Sequence, residues 1–115
     1  MPLQPTATIL TTQLEHRPGC IAAALYILGD QWSPLLLGQL IHEAQTFSQL
    51  EHALPGISPR TLSARLERLA EHNIIIKKMY CQRPPRYRYQ LTQKGIELQD
   101  ILRAMGDWGN RYHKP

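Results

Sequence analysis

A chain of 115 residues is one domain's worth, and a domain of that size buries a modest share of its surface, so a second copy is a common source of added stability. With 43% apolar and 19% charged residues it has a globular composition; no run approaches the ~18 apolar residues of a membrane span, and two cysteines are too few for a disulfide-stapled secreted scaffold. The net charge of +4 is unevenly placed: Ser58 to Lys94 holds nine Lys/Arg against two acids, Glu67 and Glu71, and the remainder is net −3. Such asymmetry fits either a polyanion-binding face or an ordinary basic surface.

Residues 1–17 carry Pro2, Pro5 and several threonines without a hydrophobic period, which reads as a flexible arm, with room for a short ordered part near Ile9 to Leu14, ahead of a domain spanning 18–115. They lack a basic start followed by an apolar block, so no secretory signal is expected and a cytoplasmic location is. Ile21, Ala24, Leu25 and Leu28 then repeat at helical spacing up to Gly29. Ser33 and Pro34 are suited to N-cap and first helical position, opening a helix through Leu35, Leu36, Leu37, Leu40 and Ile41 that belongs in the core. Thr46-Phe47 suits a short strand or a cap, and Ser48 is expected to cap a brief helix from Gln49 to Leu54.

Pro55-Gly56 marks a turn, and Ser58-Pro59 repeats the cap-plus-proline pattern before a helix to about His72. Asn73 suits a left-handed C-cap. The period then changes to two, first around Ile74 to Met79 and again from Arg86 to Leu91, on either side of Gln82-Arg83-Pro84-Pro85, which reads as a β-hairpin. Thr92 is expected to cap one long final helix with Ile96, Leu98, Ile101, Leu102, Met105 and Trp108 as its apolar positions. Trp32 and Trp108 read as core and interface aromatics.

The fold expected is mainly α with one two-stranded hairpin. Ser48 to Asn73 is two helices around a short turn, a helix-turn-helix, and a hairpin directly after it is a wing. At ~100° per residue, turning Leu62, Leu66 and Leu69 inward points Arg60, Thr61, Ala64 and Arg68 outward and leaves Arg65 on the flank. A helix so placed fits the major groove of double-stranded DNA, its first turns nearest the base edges. Arg60, Thr61 and Arg65 are therefore expected at or near bases, Ala64 beside them, Arg68 at a phosphate, and Ser58 with the free helix-start N–H groups at another. The hairpin carries Lys77, Lys78, Arg83, Arg86 and Arg88 with no acid, which suits the DNA backbone or minor groove beside that helix, or a charge-blunted solvated edge.

Several stretches together resemble the HxlR-type winged helix-turn-helix regulators: Leu28 to Ser33, Phe47 to Leu50, Pro55 to Ser63, Pro84-Pro85 with Tyr87 to Thr92, and Lys94-Gly95. The resemblance spans roughly Cys20 to Tyr112. It implies a prokaryotic homodimer joined through its first and last helices on a pseudo-palindromic operator. Where that family usually shows Gly-Gly-Lys or Gly-Gly-Arg before the tryptophan, this chain has Asp30 and Gln31 in the corresponding place. The family's Cys-Pro pair, which senses oxidants or electrophiles in some members, would put its cysteine on Gly19; Cys20 lies one position later.

Cys20 is thus either a redox-responsive thiol at a helix start or a buried small apolar residue, and Cys81 reads as an exposed bystander. The five histidines form no HxxxH or HxH pair and the cysteines no CxxC, so neither a metal nor another cofactor is expected. No Ser/His/Asp arrangement, phosphate-binding glycine loop or facing carboxylate pair points to an enzyme. The alternative to a DNA-binding regulator is a winged-helix module that binds protein or RNA, although a protein-binding face is more often apolar than arginine-rich. A small-molecule effector or an oxidant remains open as the inducing signal.

Overall fold

The computed structural model describes residues 20–113, so the expected N-terminal arm lies outside the described residues. The element order is α1 (Ile21–Leu28), α2 (Trp32–Leu40), α3 (Phe47–Ala53), α4 (Pro59–Glu71), β1 (Ile75–Gln82), β2 (Pro85–Leu91), α5 (Gln93–Ile96) and α6 (Gln99–Tyr112). This is a winged helix-turn-helix, as the sequence predicts.

The core is a leucine cluster at the meeting of α2, α3, α4 and the root of the hairpin: Leu36, Leu37, Leu40, Leu50, Leu62, Leu66 and Leu69, closed by Ile74 and Ile75. Leu35 departs from expectation and is exposed, because it lies on the opposite side of α2 from Leu36, Leu37 and Leu40. Trp32 is half-buried against the cluster.

Two expected caps move. Helix α2 starts at Trp32, before Pro34, and its orphan N–H groups are met by Asp30, whose Oδ1 accepts from the Trp32 and Ser33 amides at 2.9 and 2.8 Å. Ser33 is inside the helix and 1% exposed, its hydroxyl donating to Asp30 Oδ2 at 2.7 Å. Helix α3 is capped by Thr46 in place of Ser48, through a reciprocal pair in which Gln49 N–H donates to Thr46 Oγ1 and Thr46 N–H to Gln49 Oε1. Ser58 caps α4 as expected, with Pro59 at the first helical position, and Asn73 follows it at φ 60°.

The hairpin pairs antiparallel from Ile75↔Leu91 out to Gln82↔Pro85, with one irregularity at Tyr80. Gln45, and not Thr46-Phe47, supplies the extra strand-like residue: its amide and carbonyl exchange hydrogen bonds with Tyr89 at 3.0 and 2.7 Å. At the root, Thr92 N–H and hydroxyl both reach the Ile74 carbonyl, and the hydroxyl also lies 2.6 Å from the Asn73 carbonyl. Gly95 packs so closely here that a Cβ would collide with that Ile74 carbonyl. The single final helix expected from Thr92 is broken at Glu97-Leu98 into α5 and α6. Thr92 caps only the first piece, which turns over the hairpin root before α6 leaves.

Candidate nucleic-acid interface

The two helices of the reading unit are α3 and α4, joined through Leu54 to Ser58, with Gly56 at φ 93° in the turn where a side chain would be strained. Leu62, Leu66 and Leu69 are buried, as the periodicity requires, and Arg60, Ser63 and Ala64 are exposed. Arg60 has no hydrogen-bond or ion-pair partner among the described residues. Thr61 is half-buried, and the Ser58 hydroxyl both accepts from its amide at 3.0 Å and donates to its hydroxyl at 2.9 Å. The Ser58 side chain is therefore committed to the cap, and an anion at this helix start would meet the backbone N–H groups and the helix dipole.

The other two arginines of α4 turn toward the protein. Arg65 Nε donates to Asp30 Oδ1 at 3.1 Å, with the two side chains 31% and 21% exposed. Arg68 Nη2 donates to the Tyr26 carbonyl near the end of α1. The expectation that Arg68 points freely outward is corrected here, and Arg65 is held more firmly than a flank position implies. The reason is tertiary: Arg65 and Arg68 lie on the side of α4 that meets α1 and the loop after it, which helical periodicity alone does not show.

Asp30, given no role by the sequence reading, is the centre of this corner. It accepts hydrogen bonds from Trp32, Ser33 and Arg65. Burial pushes its carboxyl up, but the Ser33 side chain and amide, the Trp32 amide and Arg65 together outweigh that and hold it below the ordinary carboxylate value. An acidic residue two positions before the first helical tryptophan was the available signal, masked by the more familiar Ser-Pro pattern. Gln45, the partner of the wing, carried no sequence signal of its own.

The wing presents Lys77, Lys78, Arg83, Arg86 and Arg88, all exposed and none in an ion pair among the described residues. The strand pairing distributes them over both faces. Lys77 lies opposite Tyr89, its Nζ 4.6 Å from the Tyr87 ring centre and 5.9 Å from that of Tyr89. Lys78 lies opposite Arg88 on the other face, where the Arg88 guanidinium stacks 4.0 Å from the centre of the Tyr80 ring. Aromatic faces hold these cations in place without neutralising them. Cys81, expected exposed, is half-buried with Sγ 3.7 Å from the Arg83 carbonyl, and Cys20 is half-buried at the N-cap of α1; both are free thiols.

Among the described residues no group of three His, Cys, Asp or Glu side chains is placed to hold a metal, and no helix is long and apolar enough to cross a membrane. The HxlR-like helix-turn-helix family matches residues 27–115. This chain belongs to that family. It is similar to MalR of Fusobacterium mortiferum, a proposed regulatory protein, at 38% identity over 90 residues, covering 77% of this chain and 85% of MalR. Its fold is similar to that of the redox regulator HypR in its oxidised form, with TM-score 0.79 and 27% identity over 83% of this chain and 98% of HypR. The reduced form of the transcriptional regulator YodB from Bacillus subtilis is similar at TM-score 0.73 and 26% identity, over 86% of this chain and 97% of YodB. The HxlR-like chain is thus a transcriptional regulator with a helix-turn-helix domain.

Proposed function

We propose that this HxlR-like chain is a cytoplasmic, non-enzymatic regulator of a prokaryote that binds double-stranded DNA sequence-specifically as a homodimer on a pseudo-palindromic operator. The observation that carries the reading is the exposed Arg60, without an ion-pair partner among the described residues, in the first turn of α4 next to an acid-free hairpin with five exposed cations. Arg60, with Thr61 and Ala64 beside it, reads base edges; Lys77, Lys78, Arg83, Arg86 and Arg88 hold the backbone or the minor groove; the start of α4 at Ser58 holds a phosphate.

The homodimer is supported by a stripe on α6, where Ile101, Met105, Trp108 and Tyr112 are 43–64% exposed at spacings of three and four residues. On α1, Ile21 and Leu25 are exposed at 74% and 54%. Contiguous exposed apolar surface of this kind marks an interaction face. Two copies joined there would set two α4 helices in successive major grooves ~34–36 Å apart, and a signal would act by altering that spacing.

The test is selection from random duplexes, followed by binding of the selected operator as a function of salt. The expected result is a palindromic preference and a steep log–log salt slope, about −0.9 for each phosphate neutralised. Lys77→Ala or Arg88→Ala should flatten the slope while leaving the preference. Equal binding of duplex and single-stranded RNA, or no salt slope, ends the reading. A second, compatible reading rests on the similarity to HypR together with Cys20 at the α1 N-cap: oxidant changes operator affinity, and Cys20→Ser abolishes the change. An unchanged response in that variant overturns it.

A further inference from the structure

Arg65 and Arg68 are both tied to the α1 side of the molecule, but through different atoms, and the difference matters for recognition. Arg68 uses Nη2, one of the two terminal nitrogens with which a guanidinium forks onto a base. Arg65 uses Nε, and its Nη1 and Nη2 have no acceptor among the described residues. An arginine gripped at Nε keeps its end-on pair of donors, the geometry that matches guanine O6 and N7. Its side chain is 31% exposed, so the grip leaves part of it at the surface. It also stands one turn after Thr61 on the same side of the helix, at the midpoint of α4.

The grip is rigid. Asp30 Oδ1 is fixed by the Trp32 and Ser33 amides at the start of α2, and Oδ2 by the Ser33 hydroxyl, which is buried in the core. The carboxylate therefore cannot follow a moving arginine; the arginine is held to the frame of the fold. We propose that Asp30 is a positioning residue for base recognition, holding Arg65 by its Nε so that Nη1 and Nη2 read one base pair, a guanine by preference, in each half-site. This rests on the DNA-binding reading above. It explains how an acidic side chain can serve a surface meant for a polyanion: without it, Arg65 is a long flexible cation that would settle on any phosphate within reach.

The experiment uses the full chain and the operator selected by the wild type, together with variants of that operator at every position of one half-site. The expected result is that Arg65→Ala loses discrimination at one base position, by about tenfold to a hundredfold. Asp30→Asn keeps a side-chain oxygen to cap α2 but loses the charge that holds Arg65, and it should relax the same position. In the Arg65→Ala background, Asp30→Asn should change discrimination no further. Arg65→Lys, which keeps the charge without the fork, should behave as Arg65→Ala does at that base while keeping the wild-type salt slope.

If Asp30→Asn and Arg65→Ala lower the thermal midpoint but leave every base preference as in wild type, the pair is only a clasp between α2 and α4, and the inference is wrong. It is also wrong if Asp30→Asn tightens binding to all duplexes equally, since Asp30 would then act as a repelling charge alone. A wild-type chain with no duplex preference defeats the DNA-binding reading itself, an outcome seen before any variant is made.

Discussion

Arg68 of α4 hydrogen-bonds the backbone carbonyl of Tyr26, 42 residues earlier, and so fastens the reading helix to α1. Arg60, on the same helix, has no such tie among the described residues. The two arginines should therefore respond differently to removal. Arg60→Ala should cost about 1–3 kcal/mol of operator affinity and relax preference at one base position. Arg68→Ala should cost about 1 kcal/mol of folding stability and change affinity less than Arg60→Ala does. Paired titration and thermal-melt measurements decide it; an Arg68→Ala variant with wild-type stability and a larger affinity loss than Arg60→Ala would reverse the assignment.

Gly95 is the least replaceable glycine of the hairpin root. Its missing Cβ would strike the Ile74 carbonyl, which is already held by the amide and hydroxyl of Thr92. Gly95→Ala should destabilise the fold by about 1–3 kcal/mol. Gly38, in the middle of α2, has open space where a Cβ would go. Gly38→Ala should stabilise by about 0.5–1 kcal/mol through helix propensity. Denaturant melts of both variants should move in opposite directions.

Asp30 gives the fold an acid limb. Its folded-state carboxyl titrates below the ordinary value of 3.8, so it contributes stability that is complete above that value. That stability fades as pH falls through the lowered folded-state value, where the carboxylate takes up a proton. In Asp30→Asn the difference from wild type should be constant at neutral pH and shrink on acidification below about pH 4. A difference that stays constant down to pH 2 would show that the carboxylate charge contributes nothing.

Trp108 and Met105 are two of the exposed apolar residues of the α6 stripe. Met105→Glu and Trp108→Ala should convert a micromolar solution of dimers into monomers with an unchanged far-ultraviolet circular dichroism spectrum. Operator affinity should fall by far more than either residue could contribute through a DNA contact. Sedimentation of the wild type as a monomer throughout that range would remove the dimer from the proposal.

The sequence makes much of this architecture legible, for local reasons. Ser58 before Pro59, leucines at 62, 66 and 69, Asn73 in a left-handed turn and the period-two run from Ile75 each announce themselves within a few residues. The misplaced caps share a cause: Ser33 and Ser48 have the right chemistry, but Asp30 and Thr46 have it too and lie where the chain enters the helix. The break at Glu97-Leu98 carries no proline to announce it, and the one sign of it is that Ile96 and Leu98, two residues apart, cannot share a helical face. The candidate site divides the same way. Exposure of Arg60 and of the wing cations follows from period, while the ties of Arg65 and Arg68 depend on residues 35 and 42 positions away.

The contact between Gln45 and Tyr89 bears on how such a ribbon survives in a crowded solution. It occupies one margin of the hairpin with backbone hydrogen bonds, so β2 is partly sheltered from other strands. The remaining margin belongs to β1, and there Lys77 and Lys78 repel a second ribbon that tried to add itself. The positive charge that suits the wing to a duplex thus also protects it from amyloid-like stacking, which is why replacing both lysines with apolar residues should make the protein aggregate before it unfolds.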